Sequence, residues 1–161
     1  YQEEKREQKL PFAQVIGRLD LALFVVAGYL TIGQPDATAL LLLLFFYPFA
    51  LAHLGQNDLV DEENDRARGM KSIPVLFGTT GTVYWIALFV AAHMVAAFLF
   101  MTALGWTARF GILAGLALLF YATATTVAER SPDAALRVLP CFHGAMALYA
   151  LGIGAGAFLG I

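Results

Sequence analysis

The sequence predicts an all-α, polytopic transmembrane bundle of about five crossings, and three observations predict it. Only 14% of the 161 residues are charged and 60% are apolar, with mean hydropathy +0.71, whereas a soluble domain carries about 25% charged residues. The charges are also clustered: 21–57 holds only Asp36, and 72–108, 110–128 and 138–161 hold none. One crossing takes about 20 apolar residues at 1.5 Å rise, so these runs accommodate about five helices. Finally, lysine and arginine fall at 5, 6, 9, 18, 66, 68, 71, 109, 130 and 137, and five crossings place all but Arg109 on one side. The positive-inside tendency makes that side cytoplasmic, with the first residue inside and the last outside.

The elements follow in order. Residues 1–11 form a short polar segment ending at Pro11, and 12–32 supplies the first crossing, closed by a Gly33-Gln34-Pro35-Asp36 turn. The second crossing, 38–56, contains Pro48, which implies a kink or a locally broken hydrogen-bond ladder. Residues 57–78 are the longest polar interruption. Three further crossings occupy 80–104, 107–128 and 136–160, separated by an external turn at Gly105-Trp106-Thr107 and an internal one at 129–133. Trp106 suits an interfacial anchor. Gly144, Gly152, Gly156 and Gly160 lie at multiples of four, and Gly111 and Gly115 repeat the spacing, which reads as helix packing through small residues. The 161 residues form one transmembrane helical domain, with 57–78 as its polar functional loop.

Net charge −2 and the absence of a basic run with interleaved aromatics exclude a nucleic-acid partner. Cys141 is the single cysteine, so no disulfide or cysteine metal framework forms within the chain. The opening Tyr1-Gln2-Glu3-Glu4-Lys5-Arg6-Glu7 is too acidic for a signal-peptide leader and reads as the middle of a longer protein.

Chemistry concentrates in 57–65. If the second crossing continues as helix, Asp58, Asp61 and Asp65 at i, i+3 and i+7 share one face, with Asn57 alongside. Carboxylates so close repel, and a hard divalent cation, Mg²⁺ foremost, offsets them. Magnesium keeps only one or two carboxylates and fills its shell with water and phosphate oxygens, so the arrangement suggests a metal–diphosphate complex. Arg66, Arg68 and Lys71 then follow as phosphate partners. An EF-hand is excluded because Arg66 stands where its glycine belongs and Ser72 where its glutamate belongs; no P-loop run occurs. The plain alternative is a solvated loop whose charges neutralise one another. His53, one turn before Asn57, shares that face and would reach an acceptor or diphosphate, while His93 and His143 suit neutral imidazoles bonded to backbone carbonyls.

The run Asn57-Asp58-x-x-Asp61-x-x-x-Asp65-Arg66-x-x-Gly69-x-Lys71-Ser72-Ile73-Pro74-Val75-Leu76-Phe77-Gly78 resembles the second aspartate-rich motif of the UbiA superfamily of intramembrane prenyltransferases. Tyr1-x-x-x-Lys5 is similar to a motif preceding that family's fifth helix. The resemblance implies a nine-helix bundle of which this chain is the last five helices. It implies two aspartate-rich loops that hold Mg²⁺ and the diphosphate of an isoprenyl donor above a lipophilic cavity. Mapped onto this sequence, it makes Tyr1, Lys5, Asp61 and Asp65 catalytic, places Asp58, Asp61 and Asp65 on the metal, and places Asn57, Arg66, Arg68 and Lys71 on the diphosphate. The first aspartate-rich motif and about four helices do not occur in these residues, so they are expected in a longer protein. The implied activity is Mg²⁺-dependent transfer of a polyprenyl group to a lipophilic or aromatic acceptor within the bilayer. Quinone precursors, pigments and archaeal glycerol lipids are all used by relatives. The implied location in a prokaryote is the plasma membrane, with the acidic loop cytoplasmic. The rival from another class is a non-enzymatic transporter or assembly subunit with a cation-binding acidic loop.

Overall fold

The computed structural model describes residues 2–31 and 33–159. The regular secondary structure of the described residues is entirely helical, with no strand among them. The elements are α1 (Gln2–Glu7), α2 (Phe12–Gly17), α3 (Leu19–Leu30), α4 (Ala37–Val60), α5 (Glu62–Ala67), α6 (Ile73–Met101), α7 (Trp106–Glu129) and α8 (Pro132–Leu159). Five spans are long and apolar enough to cross a bilayer: Phe12–Leu30, Ala37–Val60, Ile73–Met101, Trp106–Glu129 and Pro132–Leu159. In lipid every backbone polar group must find a partner within the chain, and helices satisfy that locally.

The observed boundaries depart from the expected ones mainly around the polar stretch. Much of 57–78 is helix rather than loop: α4 runs on to Val60, α5 follows after Asp61, and α6 begins at Ile73. Asp61 N–H donates to Asn57 O at 3.0 Å and Asp65 N–H to Asp61 O at 2.8 Å, so the chain keeps a nearly helical path through the motif. Apolar content marks only the part of a helix that lies in lipid, and α4 extends past that part as a polar helix. Pro74 opens α6, where its missing N–H is of no consequence. Gly78, at φ 70°, then interrupts that helix one turn in, a left-handed conformation that glycine adopts without a Cβ clash. Pro48 lies inside an uninterrupted α4.

At the end of the bundle opposite the motif, Asp36 caps α4 by accepting from the N–H groups of Thr38 and Ala39 at 2.8 and 3.3 Å. Its partial loss of hydration, which would raise its pKa, is outweighed by those two bonds and the Tyr29 hydroxyl, so the carboxyl is held below its usual value. Arg109, the one cation on this side, donates through Nε to Met101 O and Leu104 O at 3.0 and 2.8 Å. It thereby satisfies the carbonyls at and just beyond the end of α6, where a cation complements the helix dipole.

The central element is α4, which packs against α3, α6 and α8, while α7 pairs with α8 and touches α6. The α7–α8 contact is a glycine seam. A Cβ on Gly111 would lie 2.7 Å from Leu148 O and 2.8 Å from Gly152 Cα, and one on Gly115 would lie 2.3 Å from the Tyr149 ring. Helices associate in lipid through such close backbone approach, as the glycine spacing suggested.

Two buried polar hubs lock α4 to its neighbours. His93 is fully buried and bonds through Nδ1 to Phe45 O at 2.8 Å and through Nε2 to the Tyr149 hydroxyl at 2.9 Å, joining α4, α6 and α8. The carbonyl partner is the one expected for His93; Tyr149 is additional. Gln56, also fully buried, donates to Thr126 Oγ1 at 3.2 Å and Ala135 O at 2.9 Å, tying α4 to the α7–α8 corner. His93→Leu is expected to lower stability by about 1–3 kcal/mol, the cost of orphaning a buried polar partner. Thermal unfolding in detergent reads this, and adding Tyr149→Phe should recover part of the loss.

Candidate functional site

The carboxylates of the motif stand where the second crossing leaves the apolar layer. Asp58, on the last turn of α4, is buried; one of its oxygens accepts the Ile73 N–H at 3.2 Å. That N–H is one of the orphan donors at the start of α6, so the acidic motif and the Ser-Ile-Pro entry are one hydrogen-bonded unit. The other Asp58 oxygen accepts from Lys5 Nζ at 3.4 Å, and the same ammonium lies 3.7 Å from Asp65 Oδ2. Lys5 is 8% exposed and Asp58 5%. An ammonium and a carboxylate so far from water compensate one another's lost hydration.

Lys5 is delivered to this place by a strap. Lys71 N–H donates to Lys5 O at 2.9 Å, and Lys71 O accepts from Gln8 Nε2 at 2.7 Å and Gln14 Nε2 at 3.1 Å. Gln8 also bonds Gln14 and, through Oε1, the Ala13 N–H. The amino-terminal segment is thus fastened across the α5–α6 connection, with Gln14 fully buried beneath it.

The predicted site residues separate into two sets. Lys5, Asp58 and Asp65 come together. Asp61 is exposed and carries no side-chain hydrogen bond or ion pair among the described residues, so the three aspartates do not converge, although their backbone path is close to helical. Arg66 is exposed and pairs with Glu62 at 2.9 Å, and Arg68 is exposed at the end of α5; neither is bonded to the carboxylate cluster. Lys71 contributes its backbone to the strap and is half-buried. Asn57 directs its amide at His53. Tyr1 lies outside the described residues.

Among the described residues no three acidic, histidine or cysteine side chains stand close enough to enclose a metal by themselves. The Lys5 ammonium nevertheless shows what the cluster accepts: a cation between Asp58 and Asp65. Magnesium needs only one or two carboxylates when phosphate and water complete its shell, so the residues fit that ion. Ser72 adds a buried hydroxyl with no hydrogen-bond partner among the described residues, adjoining the Ile73–Asp58 bond.

From this polar end an apolar face descends into the bundle. Leu42, Phe46, Phe49, His53 and Asn57 recur at helical spacing along α4, and His143, Met146, Ala150 and Ile153 do so along α8. With Leu21 and Val25 of the first crossing, these helices flank an apolar trough of about 340 Å³ lined by Leu42, Phe46, Met146, Ala150 and Ile153. Along α4 the trough lies well below the carboxylates, its Phe46 standing roughly 18 Å from Asp58 at the helical rise.

The sequence model of the UbiA prenyltransferase family matches residues 7–151. The chain belongs to the UbiA prenyltransferase family. No curated protein and no solved structure matches it. As a UbiA-family chain it is an integral membrane protein of a prenyltransferase family, and the resemblance carried by 57–78 extends through most of its length.

Sequence reasoning missed the glutamine strap, the Gln56 hub and the partner of His143. Gln8, Gln14 and Gln56 are uncharged and fit no catalytic spacing. His143 was expected on a carbonyl but faces His53, with the two Nε2 atoms 3.1 Å apart. These partners sit 90 residues apart, and only the α4–α8 packing joins them.

Proposed function

We propose that this chain supplies the second aspartate-rich half of a Mg²⁺-dependent intramembrane prenyltransferase, which moves a polyprenyl group from an isoprenyl diphosphate to a lipophilic or aromatic acceptor. The observation that carries the reading is the Lys5–Asp58–Asp65 cluster where α4 leaves the apolar layer, on a UbiA-family chain. Asp58, Asp61 and Asp65 would hold the metal; Lys5, Lys71, Asn57 and the arginines Arg66 and Arg68 would serve the diphosphate. Bound Mg²⁺ supplies neutralisation of the negative charge that builds on the leaving diphosphate.

The chain's own residues do the rest. Lys5, already poised between two carboxylates, offers a positive charge to the same phosphate oxygens. The trough takes the hydrocarbon tail and excludes the water that would capture an allylic cation. Phe49 lies on α4 between the trough residue Phe46 and the motif, where an aromatic face would stabilise positive charge. The α5–α6 side, rich in Lys and Arg, would face the cytoplasm, in a prokaryote at the plasma membrane.

Binding of a non-reactive geranylgeranyl thiodiphosphate to the full-length protein in nanodiscs tests this reading. Affinity should appear with Mg²⁺ and vanish with EDTA, and Asp65→Ala or Asp61→Ala should weaken it by about 10–100-fold, as loss of metal support does. Equal affinity with and without Mg²⁺ would overturn the proposal.

A further inference from the structure

In height along α4, a pair of histidines stands between the carboxylate cluster and the apolar trough. His53 and His143 meet across the α4–α8 interface, Nε2 to Nε2 at 3.1 Å. Asn57, from the aspartate-rich motif, places its amide nitrogen 3.4 Å from His53 Nδ1. The same amide nitrogen lies 3.5 Å from His53 Nε2, so it selects neither tautomer, and between the two facing Nε2 atoms one ring donates its hydrogen to the other. Phe49 stacks on His53 with an interplanar angle of 2°, and Phe142 flanks it, holding the ring on one side.

The level of this pair in the bundle matters. His53 lies five residues before Asp58 on α4, roughly 7.5 Å at the helical rise. His143 lies one turn before the trough residue Met146 on α8. In height along α4 the histidine pair therefore stands between Asp58 and the trough, so a donor spanning the two would pass it. The contrast with His93 is instructive: that ring is fully buried with both nitrogens bonded, whereas His53 is half-buried and His143 exposed.

Resting on the reading above, we propose that His53 and His143 form a proton relay for an acceptor with a hydroxyl nucleophile, a phenol or an alcohol. The hydroxyl O–H bond breaks and its proton goes to Nδ1 of whichever ring carries the shared Nε2 hydrogen, while that hydrogen passes to Nε2 of the other ring. The donor's C–O bond breaks with the electron pair leaving on the diphosphate. The acceptor oxygen bonds to the prenyl carbon; in a phenol the ortho carbon does so instead and then returns its hydrogen to the oxygen.

The test uses the full-length protein in nanodiscs with His53→Gln and His143→Gln, which keep a hydrogen-bonding side chain but cannot carry the proton. The probes are geranylgeranyl thiodiphosphate for donor binding, and geranylgeranyl diphosphate with 4-hydroxybenzoate or its more acidic ring-fluorinated forms for transfer. Donor affinity should stay within about twofold of wild type, while single-turnover transfer falls about 100-fold, the scale of a general base. The loss should shrink as the phenol becomes more acidic, because a hydroxyl already ionised needs no base; a merely structural tie between α4 and α8 would not respond to acceptor acidity. Transfer within about threefold of wild type in both variants, or a loss independent of acidity, would overturn the relay. Wild type without Mg²⁺-dependent donor affinity would instead sink the donor reading.

Discussion

Asp58→Ala in the full-length protein is expected to abolish prenyl transfer and to loosen the fold together. The two effects have one origin. The Asp58 carboxylate bonds the Ile73 N–H with one oxygen and the buried Lys5 ammonium with the other. Removing it orphans a donor at the start of α6 and leaves Lys5 with Asp65 alone, at 3.7 Å. Breaking a buried charge pair costs about 3–5 kcal/mol, and the remaining Asp65 contact places this case towards the lower end. Asp58→Asn separates fold from function. Its amide oxygen still accepts from Ile73, so the part of the stability that rests on that bond returns, but the charge that would hold metal and lysine does not. Transfer should therefore stay down by about three orders of magnitude, since a preorganised charge aimed at the leaving group is usually the largest single contribution to such a rate. The measurements are thermal unfolding and transfer in matched nanodiscs. Asp58→Asn with transfer within about threefold of wild type would exclude the carboxylate from the reaction.

Gly111→Leu is expected to give the largest purely structural loss. A Cβ at this position would sit 2.7 Å from Leu148 O and 2.8 Å from Gly152 Cα. Both contacts are backbone on the facing helix, so no side chain can swing aside and α8 itself must move. Overpacking of this kind costs about 1–3 kcal/mol and more where backbone must shift, and leucine carries three further carbons into the same seam. Gly28→Leu is the control, because nothing lies within 4 Å of a Cβ there; its effect should stay within about 0.5 kcal/mol. Equal midpoints for the two variants would show that the glycine seam does not hold α7 to α8. The same α8 carries His143, so moving it with Gly111→Leu should weaken the His53–His143 contact without touching either ring.

How much was legible beforehand depended on whether a property was local. Composition alone placed five crossings, because a run near 20 residues without charge has few other homes. The ends were less legible. The third crossing was expected at 80 and begins at Ile73, because apolar content marks immersion in lipid while the helix starts where its first N–H groups find acceptors, here Asp58. The carboxylates of 57–65 were visible as a helical pattern, but periodicity could not show that Asp61 would be left outside the pair that Lys5 bridges. The Ser-Ile-Pro run, unexplained by spacing, acquires a reason only when Asp58 is seen receiving the Ile73 N–H.

The amino-acid order by itself determined the membrane class, the approximate number of crossings, the glycine faces and the acidic motif. Each is a matter of hydropathy or of neighbours one or two turns apart, set by the helical repeat. The tertiary structure decided which of those groups meet: Lys5 with Asp58 across 53 positions, His53 with His143 across 90, Gln56 with Thr126 across 70. Such meetings depend on how α4 is rotated against α6 and α8. That rotation is fixed by the packing of many side chains and close backbone contacts at once, a property of no single stretch of sequence.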